Sequence, residues 1–233
     1  MKECLCFVLS LAMISCGSDA KSAQDASRED SVRIADSLAA EDLKTSRVFT
    51  VEGVEKQSLR IVISKKDLTL TVYGKQDSAD VRVARYPICL SRNKGQKTTN
   101  GDMCTPESEP GQPFTITEIK PASTWVHDFG DGRGPIKAYG DWFMRLSYGK
   151  GIGIHGSTGN EWSIPGSMQV APAGRTQGRD SEGCIRLKDE DIIHLKENYA
   201  SVGMQVVIKR EGQDLLDWEK AVANLSDPGI LIR

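Results

Sequence analysis

Regular alternation of apolar and polar positions begins at residue 59. In "SLRIVISKKDLTLTVYG" Leu59, Ile61 and Ile63 share one face, Lys65 to Asp67 read as a charged turn, and Leu68, Leu70 and Val72 alternate with neighbouring polar residues. Side chains of period two belong to a half-buried strand, so the segment predicts a β-hairpin. "DVRVARYPICL" repeats the pattern through Val81 and Val83, and "FTITEIK" from Phe114 adds a shorter run after a Pro- and Gly-containing loop whose length suggests a functional role. "DWFMRLSYGKGIGIHGS" is a further β region, split at Gly149 to Gly151, and its last strand is expected to end at His155. The stretch from Asn160 to Asp180 has little periodicity and reads as loop. Helical spacing is rarer. Val32, Ile34, Leu38 and Leu43 suggest a short helix over 31–46; Asp189 is a plausible N-cap for a helix through Ile192, Ile193 and Leu195 that ends at Gly203; Leu215, Trp218, Val222 and Leu225 suggest a last helix after the strand "MQVVIKR". The sum is a mostly β domain with few helices, a sandwich or barrel rather than a doubly wound sheet.

The first residues follow a different logic. One lysine, an apolar stretch from Cys4 to Ile14 and small residues closing on Cys16 are how an export signal is built. "MISC" resembles the lipobox of bacterial lipoproteins, with Met13 where leucine is usual, and makes Cys16 the expected lipidated residue. Gly17 to Asp30 is polar and rich in Ser, Ala and Asp, the composition of a linker. The expected organisation is a signal over 1–15, a polar tether over 16–57, the β-rich domain over 58–210 and a C-terminal helix and tail over 211–233. It places the protein in the cell envelope, on the periplasmic side, held to the membrane by lipid.

Charge narrows the partners. Thirty basic residues against 32 acidic ones make no field that would attract nucleic acid, and no apolar run approaches the roughly 18 residues that a spanning helix needs. Export also changes the cysteine arithmetic. With Cys4 and Cys6 leaving in the signal and Cys16 lipidated, Cys89, Cys104 and Cys184 remain, an odd number. Cys89 and Cys104 are the expected disulfide, which would be worth about 3 kcal/mol by restricting the unfolded chain. Pairing of Cys184 with either one is the alternative.

A free thiol becomes a nucleophile when a base takes its proton and donors hold an oxyanion. Of three histidines, His194 lies in a charged helix and His127 in a turn-like segment, whereas His155 stands at a strand end before two small residues. "GIGIHGS" followed by "SEGCIRL" resembles the signature of the L,D-transpeptidase catalytic domain, the YkuD-like family of cell-wall enzymes, and the order of hairpin, "RYPICLS", "TP", "GQPFTI" and "IHGS" from Leu59 to Arg210 follows that family's β-rich fold. The resemblance implies Cys184 as nucleophile, His155 as base, Ser157 or Gly156 as the step that orients it, Ser181 opening the motif and Arg186 as the polar position after it. Gly183 is where backbone must come close, its amide and that of Cys184 supplying the oxyanion donors. The implied substrate is a peptidoglycan stem peptide, with transfer to a second stem (a 3,3 cross-link), to a protein lysine, or to water (L,D-carboxypeptidase activity). The Trp125, Tyr139 and Trp142 region is a candidate wall for the stem.

Two departures from the family pattern stand out. Glu182 occupies the place of the usual motif histidine, and the interval from His155 to Cys184 is longer than usual. A carboxylate beside Cys184 raises the thiol pKa, so Arg186 or Arg179 is expected to neutralise Glu182, or Glu182 to steady the imidazolium of His155; the alternative is that Glu182 is a solvated loop carboxylate. A papain-like thiol hydrolase fits less well, since its cysteine precedes its histidine. The chain has no "HExxH" or "HxH", so neither a metal nor another cofactor is expected. The rival of another class is a wall-binding lipoprotein of the same fold without catalysis, for which Glu182 is the argument.

Overall fold

In a computed structural model of the chain, the described residues are 41–130, 132, 134–157, 163–165, 173, 175–222, 224, 225, 227 and 229–231. The export signal, the lipidation candidate Cys16 and residues 31–40 of the expected first helix lie outside them. Among the described residues no helix is long and apolar enough to cross a membrane.

Fourteen strands are described: β1 Arg47–Val48, β2 Arg60–Ser64, β3 Thr69–Gln76, β4 Ala79–Pro87, β5 Leu90–Ser91, β6 Phe114–Pro121, β7 Val126–His127, β8 Ile136–Lys137, β9 Trp142–Leu146, β10 Gly153–His155, β11 Arg179–Ser181, β12 Ile185–Arg186, β13 Gln205–Ile208 and β14 Ile230–Leu231. The α-helices are α1, Asp189–Asn198, and α2, Asp217–Lys220. Ten strands form one sheet in the order β12-β10-β9-β6-β13-β2-β3-β4-β1-β14; β11 pairs with β5, and β7 with β8. Ile61, Ile63, Leu70 and Val72 from the middle of that order share one buried cluster with Met144, Ile154 and Ile185 from its end. The sheet therefore curls around a single core, and the fold is mostly β as the alternation predicts.

The opposite face of β2 and β3 carries a smaller cluster of Val62, Tyr73 and Val222, with Trp218 and Leu225 packed against it. Trp218 and Leu225 do face the sheet, but only Asp217–Lys220 is helical. Beyond it the Asn224 side chain exchanges two hydrogen bonds of 2.8 Å with the Arg82 backbone, and the Arg82 guanidinium takes the carbonyls of Leu225 and Asp227. Those carbonyls accept from a side chain, so the chain turns instead of continuing as helix.

Other boundaries shift for similar reasons. The expected tether reaches too far, because Arg47 and Val48 pair with β4 on one side and β14 on the other. Asp42 bridges Arg85 and Arg47, and Phe49 is buried beneath the Arg82 guanidinium. Arg179–Ser181, read as loop, pairs with β5. Helix α1 is capped by Lys188, and it ends at Asn198, where the amides of Tyr199 and Ala200 both reach the Leu195 carbonyl; Gly203 turns the chain into β13. Asp189 is the first helical residue, and its carboxylate accepts the Asp141 amide at 2.8 Å. A side chain on Gly156 would place its Cβ 2.3 Å from that carboxylate, so glycine is what lets α1 approach the segment leaving β10.

The first turn of α1 also holds Asp191, 1% exposed, whose carboxylate accepts from the Ser46 hydroxyl at 2.8 Å. Burial pushes its pKa up to about 6, with Glu190 adding to the rise and Ser46 and Lys188 opposing it. The folded state then binds more protons than the unfolded one between about pH 4 and 6, so this group's contribution to stability falls as pH rises through that window. Asp191→Asn is expected to flatten that slope and to raise stability near pH 7 by about 2 kcal/mol, read from urea midpoints at both ends of the window.

Candidate active site

Strands β10 and β12 are parallel neighbours, with Ile154 opposite Ile185 and His155 opposite Arg186. Alternation sends Ile154 and Ile185 into the core and leaves His155 and Arg186 on the other face, the face to which Cys184, two residues before Arg186, also belongs. His155 and Cys184 meet in one cavity of about 290 Å³, with Arg186, Ser181, Lys97 and Tyr139 also in its wall.

His155 is held on three sides. Phe143 stacks on the ring at 5.7 Å and 15°, Tyr139 meets it edge-on at 5.1 Å, and Nδ1 donates to the Gly156 carbonyl at 2.6 Å. That bond commits the Nδ1 hydrogen and leaves Nε2 as the basic nitrogen. Burial pulls the imidazole pKa down to about 3, the charge of Arg186 pulls the same way, and the Gly156 carbonyl opposes them. The group orienting the base is thus the carbonyl of Gly156. The Ser157 hydroxyl is buried and has no hydrogen-bond partner among the described residues, His155 included, so it does not share that role.

The Cys184 sulfur is partly exposed, 3.6 Å from the Gly151 carbonyl. Burial pushes its pKa up and Glu182 adds to the rise; the Gly153 amide and the charges of Arg186 and Lys97 oppose it. At neutral pH the pair is therefore neutral thiol and neutral imidazole.

The turn before the thiol is built by Ser181, whose hydroxyl donates to the Cys184 carbonyl at 2.6 Å and accepts the Gly183 amide at 3.2 Å. This corrects the expected oxyanion pair: the Gly183 amide is spent on Ser181, and of the two expected donors only the Cys184 amide is not engaged by it. Gly183 itself is required where it stands. Its φ is +142°, and a Cβ there would lie 2.9 Å from both the Cys104 carbonyl and Ile152.

The expected disulfide is absent. Cys89 and Cys104 are both free: the Cys89 sulfur receives the Arg186 guanidinium at 3.2 Å, while the Cys104 thiol reaches the Lys94 and Asp102 carbonyls at 3.4 Å. The expected roles of the arginines also change. Arg186 is buried against Asp180 at 3.2 Å, Arg179 pairs with Glu211 at 2.7 Å, and neither pairs with Glu182. Glu182 is exposed and makes no hydrogen bond to His155. Tyr139 lines the cavity; Trp125 packs behind it, and Trp142 lies under Lys196.

Two residues of the site escaped sequence reasoning. Lys97 is buried, pairs with Asp102 at 2.9 Å and reaches the Glu182 carbonyl at 3.5 Å; the only hint was the long polar loop that carries it. Asp180, the buried partner of Arg186, precedes the motif by one residue and looked like loop. Among the described residues no group of His, Cys, Asp and Glu is placed to hold a metal ion.

The family model of the YkuD L,D-transpeptidase catalytic domain matches residues 58–208. Among solved structures the chain is similar to Bd1075 of Bdellovibrio bacteriovorus (16% identity over 78% of this chain and 59% of that one, TM-score 0.45). It is also similar to an L,D-transpeptidase from Mycobacterium smegmatis (16%, 65% and 58%, TM-score 0.45) and to the helical cell shape determining protein Pgp2 from Campylobacter jejuni (18%, 76% and 55%, TM-score 0.45). The chain thus spans between 55% and 59% of the length of these solved chains. No curated protein matches it. With the match covering 58–208 and enclosing both His155 and Cys184, the chain belongs to the L,D-transpeptidase catalytic domain family.

Proposed function

We propose that this protein is a cysteine-dependent L,D-transpeptidase that carries a peptidoglycan stem peptide as a thioester on Cys184. The observation that supports it most is the pairing of a partly exposed free thiol with an imidazole held as a free base, its Nδ1 hydrogen spent on the Gly156 carbonyl, in one cavity. As the Cys184 sulfur attacks the diaminopimelate carbonyl, His155 Nε2 takes its proton; the bond to the terminal D-alanine breaks, and the leaving amine departs with that proton. Transfer to a second stem gives a 3,3 cross-link. The Cys184 amide, which Ser181 does not engage, is the backbone donor assigned to the oxyanion, and buried Arg186, two residues on, adds positive charge to the site. Burial of His155, and the desolvation that raises the pKa of the partly exposed Cys184 thiol, keep both groups neutral until substrate arrives.

The same reading places the protein at the periplasmic face of the envelope, anchored through an acylated Cys16. Mass spectrometry of the processed N-terminus tests that part, and an unmodified first residue overturns it. The catalytic part is tested by incubating the chain with purified disaccharide tetrapeptide, weighing the intact protein and separating the products. An acyl adduct with release of D-alanine and a dimer is the expected result. A tripeptide product without dimer would make the protein a carboxypeptidase, and binding with neither adduct nor release would make it a wall-binding scaffold.

A further inference from the structure

The sheet fixes His155 more firmly than it fixes Cys184. Pairing of β10 with β12 runs through Ile154 opposite Ile185 and His155 opposite Arg186, and Cys184 stands one residue before the first of these pairs. The thiol is therefore carried on a turn, which Ser181 closes from within. Three segments meet at Gly183 in that turn. A Cβ there would lie 2.9 Å from Ile152, 2.9 Å from the Cys104 carbonyl and 3.4 Å from Lys97 Nζ. Lys97 and Cys104 belong to the loop between β5 and β6, which Asp102 knots. One oxygen of its carboxylate accepts the Cys104 amide and Lys97 Nζ, both at 2.9 Å, and the other accepts the amides of Thr98 and Thr99.

Lys97 reaches out of this knot twice. Its side chain is 2% exposed, and its three ammonium hydrogens have three acceptors: Asp102, and the carbonyls of Asn100 and Glu182, each at 3.5 Å. A buried ammonium needs such partners, so the side chain is tied to the turn of the thiol. Its own carbonyl accepts the Tyr148 hydroxyl at 3.3 Å, and Tyr148 stands in the turn from β9 to β10 whose Gly151 carbonyl the Cys184 sulfur touches. One residue thus joins the turn that carries the nucleophile to the turn that leads into the strand of the base. Resting on the acyl-enzyme reading above, we propose that Lys97 is a positioning residue, a brace between these two turns that sets where the Cys184 sulfur stands relative to His155. Proton transfer and attack both need the sulfur within reach, so a small displacement costs rate rather than binding.

Lys97→Met tests the brace and spares the knot, since Asp102 keeps its amide donors at Thr98, Thr99 and Cys104. With the tetrapeptide, kcat for D-alanine release is expected to fall about thirtyfold while KM changes by less than about twofold. Tyr148→Phe leaves the charge beside the thiol in place. It is expected to lower kcat about threefold in the native chain and to add nothing in the Lys97→Met chain, because the brace is already broken there. Hydrogen exchange read by mass spectrometry needs no turnover. Lys97→Met should speed exchange about tenfold in peptides covering both 148–153 and 181–186, with β2 and β3 unchanged. If the native chain releases no D-alanine, the acyl-transfer reading fails by itself, and exchange alone decides the brace. Faster exchange confined to 92–104, a rise in KM at unchanged kcat, or a fall in kcat that only matches a loss of folded chain overturns it.

Discussion

Cys184→Ala is expected to lower D-alanine release from the tetrapeptide by about 10⁴-fold or more, because it removes the only atom on which the acyl group can be carried. The fold should survive, since the thiol is partly exposed and its polar contacts are a long one to the Gly151 carbonyl and one from the Gly153 amide. The same residue reports the resting state of the pair. His155 with a pKa near 3 and a thiol raised above its ordinary 9.0 are both neutral between about pH 4 and 8. Alkylation of Cys184 by iodoacetamide should therefore climb steadily across that range, about tenfold per pH unit, without levelling off. A plateau with an inflection near or below neutrality would reveal a preformed thiolate and imidazolium, and would count against the neutral pair. His155→Gln should leave this alkylation curve nearly unmoved while abolishing release, which separates the proton acceptor from the nucleophile.

Arg186→Met carries the second large effect. Both members of the Arg186–Asp180 pair are under 10% exposed, so removing the cation leaves a buried carboxylate with only Arg92 and Arg175, at 3.4 and 3.2 Å, on its other oxygen. A cost of about 3 kcal/mol is expected, seen as a lower urea midpoint at unchanged slope. The Arg186→Met, Asp180→Asn double variant should recover part of it, because no charge is then stranded. Arg186 also depresses the pKa of both His155 and Cys184, so its loss should raise both and move the alkylation curve to higher pH. A loss of stability under 1 kcal/mol would mean that Arg92 and Arg175 satisfy Asp180 alone.

The strands were legible because each reports its environment locally. Ile61, Ile63, Leu70 and Val72 alternate in the chain and all enter one core. Cys184, His155 and Gly183 could be singled out because a candidate nucleophile, a candidate base and a close backbone approach leave residue types that can be recognised in place, and the structure brings Cys184 and His155 into one cavity. The segment 41–57 was misjudged for the opposite reason. Its polar composition reads as linker, yet Asp42 finds Arg85 43 residues away and Phe49 lies under Arg82. The last helix failed likewise, since Asn224 looks like an ordinary helix residue until the Arg82 backbone, 142 residues distant, claims its side chain.

By itself the sequence determined the β class, the turns and the family signature, and it singled out His155 and Cys184 as the candidate pair, since all of these depend on side-chain periodicity and local residue chemistry. Only the tertiary structure decided that Cys89 meets Arg186 rather than Cys104, that Ser181 takes the Gly183 amide, that Gly156 orients His155, and that Glu182 pairs with no cation among the described residues. Thiols, amides and charges each accept several kinds of partner, and which one they meet is settled by long-range packing, which brings distant segments together at hydrogen-bond distance.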